Sequence, residues 1–144
     1  MDSTTWQWLD DLFAQYPMMR GECVDDADIE AAEGRLGHVF VPDYKEFLRR
    51  YGAAMIGAHP VLGLSPVAVL GDDWWNVVHV TEHFLDDGWA GTSDWYVVST
   101  DGSGNPIGID AAGRVWISDH DTGRIEMLAA DFAHWLRDIV STVG

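Results

Sequence analysis

The 144-residue chain has the length of a single domain, and a hydrophobic fraction of 47% with eight tryptophans excludes a generally disordered protein. Twenty-four Asp and Glu residues oppose eight Lys and Arg residues, and the resulting formal charge of −16 repels nucleic acid and anionic membranes. Cys23 is the single cysteine, which excludes an internal disulfide.

Two further features concern the location of the protein. The sequence has no apolar run of the ~18 residues needed to cross a bilayer. The first residues, MDSTTWQWLDD, lack the basic flank and the small-residue cleavage site of a signal peptide. These features predict a cytoplasmic protein, and the large net charge predicts a monomer or weak dimer.

The N-terminal part of the chain predicts three helices. The first is capped by Thr4 or Thr5 and ends before Pro17, which cannot continue a helix. The second covers 25–36, because aspartates in its first turn suit the helix dipole and a glycine follows its last residue. The third covers 42–51, with proline at its start and apolar residues at helical spacing.

The middle of the chain predicts two short strands and a fourth helix. Residues 53–70 lose the helical period, and the strands are expected near 54–56 and 61–64. Asp72 or Asp73 is expected to cap the fourth helix, and Gly88 to close it. The inner face of this helix is predicted to consist of Trp74, Val77, Val78, Thr81, Phe84 and Leu85.

A meander is predicted over residues 95–121, where three strand-like segments are separated by glycine-rich turns at 101–105 and 111–113. Its apolar residues recur every second position, so each strand is expected to bury one face. A last strand at 124–128 and a helix from Asp131 follow. The sequence therefore predicts an α+β fold in one domain, 1–144, with a mostly antiparallel sheet flanked by N-terminal helices and a C-terminal helix.

Two sets of residues resemble the SUKH superfamily in order and spacing, over roughly 25–140. The first set is Leu36-Gly37, Val41-Pro42-Asp43-Tyr44, Phe47-Leu48 and Gly52. The second set is Thr100 to Asn105, Ile109-Asp110, Gly113, Val115-Trp116, Asp119-His120-Asp121, Ala130-Asp131-Phe132 and Leu136. The resemblance implies an α+β fold without shared catalytic residues. It also implies a binding function, because bacterial members are immunity proteins that neutralise toxins and some fungal members regulate cell-wall synthesis.

One string suggests an enzyme. His79, Glu82 and His83 match the inverted zinc motif, with two histidines four residues apart on a helix and a glutamate beside the second. A zinc hydrolase needs a third protein ligand, which the sequence does not identify. We therefore expect no metal, no cofactor and no enzymatic activity, and the histidines are interpreted as surface residues.

Two other strings have structural interpretations. Asp101, Ser103 and Asn105 alternate as in a calcium-binding loop, but Pro106 stands where that loop requires glycine, so a side-chain-stabilised turn is predicted. Asp119-His120-Asp121 has the composition of an acid/base dyad, but a turn at a strand end with an ion-pairing histidine is favoured.

The acidic charge leads to a hypothesis about the partner. If a basic toxin domain is the ligand, the expected contact residues are Asp72, Asp73, Trp75, Asp86, Asp87, Trp89 and Asp94. Such a toxin would act on nucleic acid or a nucleotide. Three alternatives stay open: the charge serves solubility alone, the tryptophans all pack in the core, or the partner is an endogenous protein for which this chain is a regulatory adaptor.

Overall fold

A computed structural model describes residues 1–143, over which five α-helices and six β-strands form. The helices are α1 (Ser3–Gln15), α2 (Asp26–Leu36), α3 (Pro42–Tyr51), α4 (Val77–Asp86) and α5 (Phe132–Val143). The strands are β1 (Ala54–Ile56), β2 (His59–Val61), β3 (Tyr96–Thr100), β4 (Pro106–Ile109), β5 (Val115–Asp119) and β6 (Arg124–Ala129). Short 3-10 helices lie at Pro17–Met19, Ala68–Leu70 and Thr92–Asp94. The predicted α+β class is confirmed.

The N-terminal helices lie where the sequence predicts them, with one corrected cap. Asp2, not Thr4 or Thr5, caps α1, because its side chain accepts a hydrogen bond from the Thr5 backbone N–H at 2.9 Å. Asp25 caps α2 in the same way, and Gly37 ends that helix in the left-handed conformation (φ 71°). A carboxylate at these positions pairs one of the N–H groups that a helix start leaves free.

The strands form two antiparallel sheets, and the larger one is the predicted meander. β1 pairs with β2, while β3, β4, β5 and β6 are neighbours in that order. The first strand of the small sheet was predicted correctly at 54–56, but its partner lies at 59–61 rather than 61–64. A tight turn through Gly57, which has a positive φ of 60°, brings the partner strand forward.

The expectation that each meander strand buries only one face is wrong for β3 and β4. All four residues of β4 and the first four of β3 are buried, because both faces of this part of the sheet are covered. Trp95 covers one face at Gly108: a Cβ on that glycine would lie 2.8 Å from the Trp95 Cβ. Among the strands of residues 1–143, β6 at the outer edge is the one that is largely exposed.

One core connects the helices to the sheets, and an aromatic cluster lies at its centre. The Tyr44 ring contacts Phe40, Tyr96 and Phe132, with ring centres 5.2 to 5.7 Å apart. Burial raises the pKa of the Tyr44 hydroxyl well above its ordinary value of 10.0. The hydroxyl therefore stays protonated and donates a hydrogen bond to the carbonyl of Leu62 at 2.7 Å, which joins α3 to the segment after β2.

Helix α4 begins later than the sequence analysis predicts. Its cap is Asn76, whose side-chain oxygen accepts from the N–H groups of Val78 and His79. Asp72 and Asp73 lie in the preceding turn and do not cap the helix. The buried residues of the helix are Val77, Val80, Thr81 and Phe84, so Leu85, which is exposed, and Trp74, which precedes the helix, are not on its inner face.

Within residues 1–143, no helix has the length and apolar character that crossing a bilayer requires.

Candidate functional site

The two adjacent tryptophans before α4 have different environments. Trp74 is 47% exposed, and its ring lies against the imidazoles of His79 and His83, with ring centres 6.0 and 5.1 Å apart. Trp75 is half-buried, and its indole N–H donates to the carbonyl of Asp72 at 2.7 Å. Of this pair, Trp74 therefore presents the larger aromatic surface to a partner.

Five aromatic rings form a continuous row, which we call the aromatic row: Trp74, His83, Phe84, Trp89 and His120. Successive ring centres lie 5.1 or 5.2 Å apart, and all four contacts are edge-to-face. The row runs from the turn before α4, across the helix, to the turn between β5 and β6. Phe84 fixes it to the core, while the rings at its two ends are partly exposed.

Carboxylates border the aromatic row. Asp86 and Asp87 are exposed at the end of α4, where Asp87 lies 3.3 Å from the Nε2 of His83. At the other end of the row, Asp121 lies 3.2 Å from the Nε2 of His120. These contacts keep negative charge beside rings that are open to solvent.

Several acidic residues of the predicted surface form no ion pair in the described part of the chain. Within residues 1–143, no salt bridge is formed by Asp72, Asp73, Asp86 or Asp94. Other carboxylates are paired with arginines across elements: Glu82 of α4 with Arg35 at 3.0 Å, and Asp26 of α2 with Arg49 at 2.6 Å. Asp72, Asp73 and Asp86 therefore leave negative charge around α4 that no basic side chain of residues 1–143 pairs.

The structure does not bring all the predicted contact residues together. Asp86, Asp87 and Trp89 lie along one end of the aromatic row, and Asp72 and Asp73 are exposed in the turn that leads to its other end. Asp94 instead lines a separate shallow cleft, together with Gly37, His38, Ser93, Asp110, Ala111, Ala112 and Arg114. The predicted set thus divides into a larger group at α4 and a single residue in this cleft.

A buried amide fixes His120 at the end of the row. Asn105 is only 2% exposed, and its Nδ2 donates to Asp101 at 2.9 Å. The Asn105 Oδ1 accepts from the backbone N–H of His120 and lies 2.6 Å from its Nδ1, so that this ring nitrogen carries a proton. Asn105 therefore joins the turn at 101–105 to the turn between β5 and β6. The His120 ring of this second turn packs against Trp89.

Asp110 organises the other glycine-rich turn of the meander. Its carboxylate accepts four hydrogen bonds, from the backbone N–H groups of Ala112 and Arg114, the Arg114 Nε and the Trp116 indole N–H, at 2.8 to 3.0 Å. Burial acts to raise the pKa of Asp110, but the hydrogen bonds from Trp116 and the backbone outweigh it and hold the pKa below its ordinary value of 3.8. The ionised form is therefore the one that the fold stabilises.

Replacing Asp110 by asparagine is expected to lower the free energy of unfolding by about 2 kcal/mol at neutral pH, since an amide NH₂ cannot accept from Trp116 and Arg114. A depressed folded-state pKa contributes stability that is present above the unfolded pKa and is lost as the pH falls through the folded pKa. The difference from wild type should therefore shrink below about pH 4.

Urea unfolding from about pH 3 to pH 7 measures this effect. The matched control is Asp138→Asn, which removes an exposed carboxylate from α5. An Asp110→Asn profile that runs parallel to that of Asp138→Asn would show that the turn does not depend on the charge.

The three residues of the zinc-like string, His79, Glu82 and His83, contact an arginine and a tryptophan in the structure. Arg35 donates to both carboxylate oxygens of Glu82, at 3.0 and 3.2 Å, and Trp74 covers the rings of His79 and His83. In the described part of the chain, no group of three or more His, Cys, Asp or Glu side chains is placed to hold a metal ion.

The contact residues predicted from the sequence do not include four members of the aromatic row: Trp74, His83, Phe84 and His120. Trp74 was left out because the sequence analysis starts α4 too early and places this residue on the inner face of the helix. Asn76 carried the signal that could have corrected this, because asparagine is among the strongest N-cap residues. No sequence signal brings His120 next to Trp89, since that contact joins residues far apart in the chain.

The four-stranded meander and the flanking helices define an α+β protein, and exposed aromatic rings and carboxylates lie together on its surface at α4. A family model, SUKH_5, described as SMI1-KNR4 cell-wall, matches residues 7–141. The chain therefore belongs to the SUKH superfamily, which includes toxin-immunity proteins. A search of curated proteins gave no match.

Proposed function

We propose that this protein is an immunity protein that binds a cognate bacterial toxin domain in the cytoplasm and neutralises it by stoichiometric association, without turnover. The observation that carries the proposal is the aromatic row bordered by exposed carboxylates, of which Asp72, Asp73 and Asp86 form no salt bridge within residues 1–143. Half-exposed tryptophan offers a large apolar contact, and nearby carboxylates favour a cationic partner. Family membership supports the same conclusion.

The charge of −16 indicates the chemistry of the toxin. A toxin that acts on nucleic acid or a nucleotide needs a basic cleft to hold phosphate groups. An acidic surface competes for such a cleft and accelerates association through long-range attraction. The expected contact residues are Asp72, Asp73, Trp75, Asp86, Asp87, Trp89 and Asp94; we add Trp74 and His120 to this proposal because both are exposed rings of the aromatic row.

The charge contribution can be tested with the purified product of the gene adjacent to this one. Replacing Asp86 and Asp87 together by asparagine is expected to slow association and to flatten its dependence on salt, because exposed charges at an interface rim act mainly on the association rate. The measurement is binding kinetics at two ionic strengths. The control, Asp28→Asn with Glu30→Gln, removes the same charge from the exposed face of α2.

The partly exposed tryptophans are expected to affect mainly the rate at which the complex dissociates. Trp74→Ala is expected to accelerate dissociation by about 30-fold, as for a hot-spot residue worth ~2 kcal/mol. Tyr16→Ala is the control, since Tyr16 is a similarly exposed aromatic residue, 44% against 47%, at the end of α1. Trp89→Ala should also accelerate dissociation, with a loss of stability because the ring packs on Phe84. If only the α2 charge control changes the rates, the contact surface lies on the N-terminal helices.

A second candidate function is a regulatory adaptor for an endogenous protein. It is favoured by the cell-wall description of the matching family model. The two candidates differ in one observable: an adaptor would bind a host protein and would show no affinity for a toxin encoded beside it.

A further inference from the structure

The two edges of the four-stranded sheet differ in how they are covered. At the β3 edge, the Val97 N–H donates to the Thr81 Oγ1 of α4, and the Val98 carbonyl accepts from the N–H of Leu62, both at 2.8 Å. At the opposite edge, β6 pairs with β5 alone among the described residues. The outer backbone groups of β6 are therefore left to solvent, which is the arrangement that accepts a further strand.

Strand β6 is also unusually apolar for an exposed edge. Five of its six residues are exposed, and Ile125, Met127 and Leu128 are 42%, 53% and 40% exposed. They account for three of the ten exposed large hydrophobic residues in the described chain. A long edge strand with exposed apolar side chains invites pairing with another chain, because both its backbone and its side chains gain partners.

The edge is continuous with the aromatic row. His120, at the end of that row, lies in the turn that leads into β6. The loop after α4 also lies directly on the strand, since a Cβ on Gly91 would be 2.8 Å from the Ile125 Cδ1. A partner that covers Trp89 and His120 therefore reaches the start of β6 without crossing another element.

The charges around β6 favour one kind of partner for this edge. Residues 119–131 contain one Lys or Arg residue, Arg124, and four carboxylates: Asp119, Asp121, Glu126 and Asp131. A second copy of this chain would bring the same negative excess and would be repelled. An extended segment that carries Lys or Arg beside alternating apolar residues meets opposite charge at both ends of the strand.

We propose that β6 is the docking edge for the toxin, which adds an extended, basic-flanked segment to the meander as a fifth strand. This inference rests on the proposed function and specifies how the partner is held. Backbone hydrogen bonds along β6 would supply affinity, and the side chains of Ile125 and Met127 would supply specificity.

The test uses Met127→Lys, which places positive charge and a longer polar side chain on the exposed strand. Its matched control is Met18→Lys, because Met18 is similarly exposed, 56% against 53%, and lies in the N-terminal region. With the purified product of the adjacent gene, Met127→Lys is expected to raise the dissociation constant at least about tenfold, and Met18→Lys to change it by less than about twofold. Amide hydrogen exchange of wild-type β6 should slow in the complex.

The results of these measurements distinguish a failure of the β6 docking edge from a failure of the proposed immunity function. If wild-type protein binds, while Met127→Lys binds equally well and β6 gains no protection, the docking edge is wrong and the proposed function stands. If the protein alone is a dimer that Met127→Lys dissociates, a second copy occupies the edge and the assignment is also overturned. If wild-type protein does not bind the adjacent gene product, the proposed function fails and this inference fails with it.

Discussion

Gly63→Ala is expected to lower the free energy of unfolding by about 3 kcal/mol or more, a large part of the ~5–15 kcal/mol that holds a domain folded. A Cβ at this position would lie 1.7 Å from the carbonyl oxygen of Gly52. That oxygen is itself fixed, because it accepts from the N–H of Leu64 at 2.8 Å, and Gly52 has a positive φ of 77°. To make room for the added methyl group, the backbone at the end of α3 and the backbone of the segment after β2 would have to move apart.

Urea unfolding of Gly63→Ala and of the control Gly34→Ala measures this effect. Gly34 is a glycine within α2 whose Cβ would meet no atom within 4 Å. Alanine there should stabilise the protein by about 0.5–1 kcal/mol, since glycine disfavours a helix interior. Equal midpoints for the two variants would show that the close approach at Gly63 is not needed.

Asn105→Asp is expected to cost about 3 kcal/mol of stability at neutral pH, although the two side chains are nearly the same size. The Asn105 Nδ2 donates to the partly buried Asp101 carboxylate at 2.9 Å, and an aspartate would place a buried carboxylate at that contact. Like charges at this distance raise the pKa of the new carboxyl group. The loss should therefore diminish as the pH falls and that group is protonated.

Asn76→Asp is the matched control for this variant. The substitution is the same, but Asn76 caps α4 through its side-chain oxygen, a role that aspartate performs equally well. Thermal unfolding at about pH 7 and pH 4 should show a large, pH-dependent loss for Asn105→Asp alone. A similar small change in both variants would mean that the network from Asp101 to His120 does not stabilise the fold.

Local signals predicted the helices well where caps and breakers were strong. The boundaries of α2 and α3 follow from Asp25, Gly37, Pro42 and Gly52, and the structure confirms them. The start of α4 was wrong because three cap-forming residues, Asp72, Asp73 and Asn76, stand close together, and propensity alone does not choose among them.

The sequence predicts the order of the strands in the sheet but not how far each strand is buried. Glycine-rich turns indicated the meander, and the order from β3 to β6 is confirmed. The two-residue alternation could not show that β4 is buried on both faces, because that burial depends on Trp95, directly before β3, packing across Gly108.

The candidate site was the least predictable part, because its contacts are long-range. Asp86, Asp87 and Trp89 were selected by charge and composition, and the structure places them along the aromatic row. The position of Asp94 in a different cleft, and the contact of Trp89 with His120, depend on how loops pack in three dimensions. Sequence periodicity carries no information about such packing.

The most direct test of the immunity function expresses the product of the adjacent gene in a susceptible bacterium, with and without this protein. We predict growth arrest when the adjacent gene product is expressed alone and growth when both are present, with a one-to-one complex on purification. Protection should be lost when Trp74→Ala is combined with Asp86→Asn and Asp87→Asn, and kept in Gly34→Ala. Growth arrest that this protein does not relieve, or an adjacent gene product that is not toxic, would contradict the immunity function.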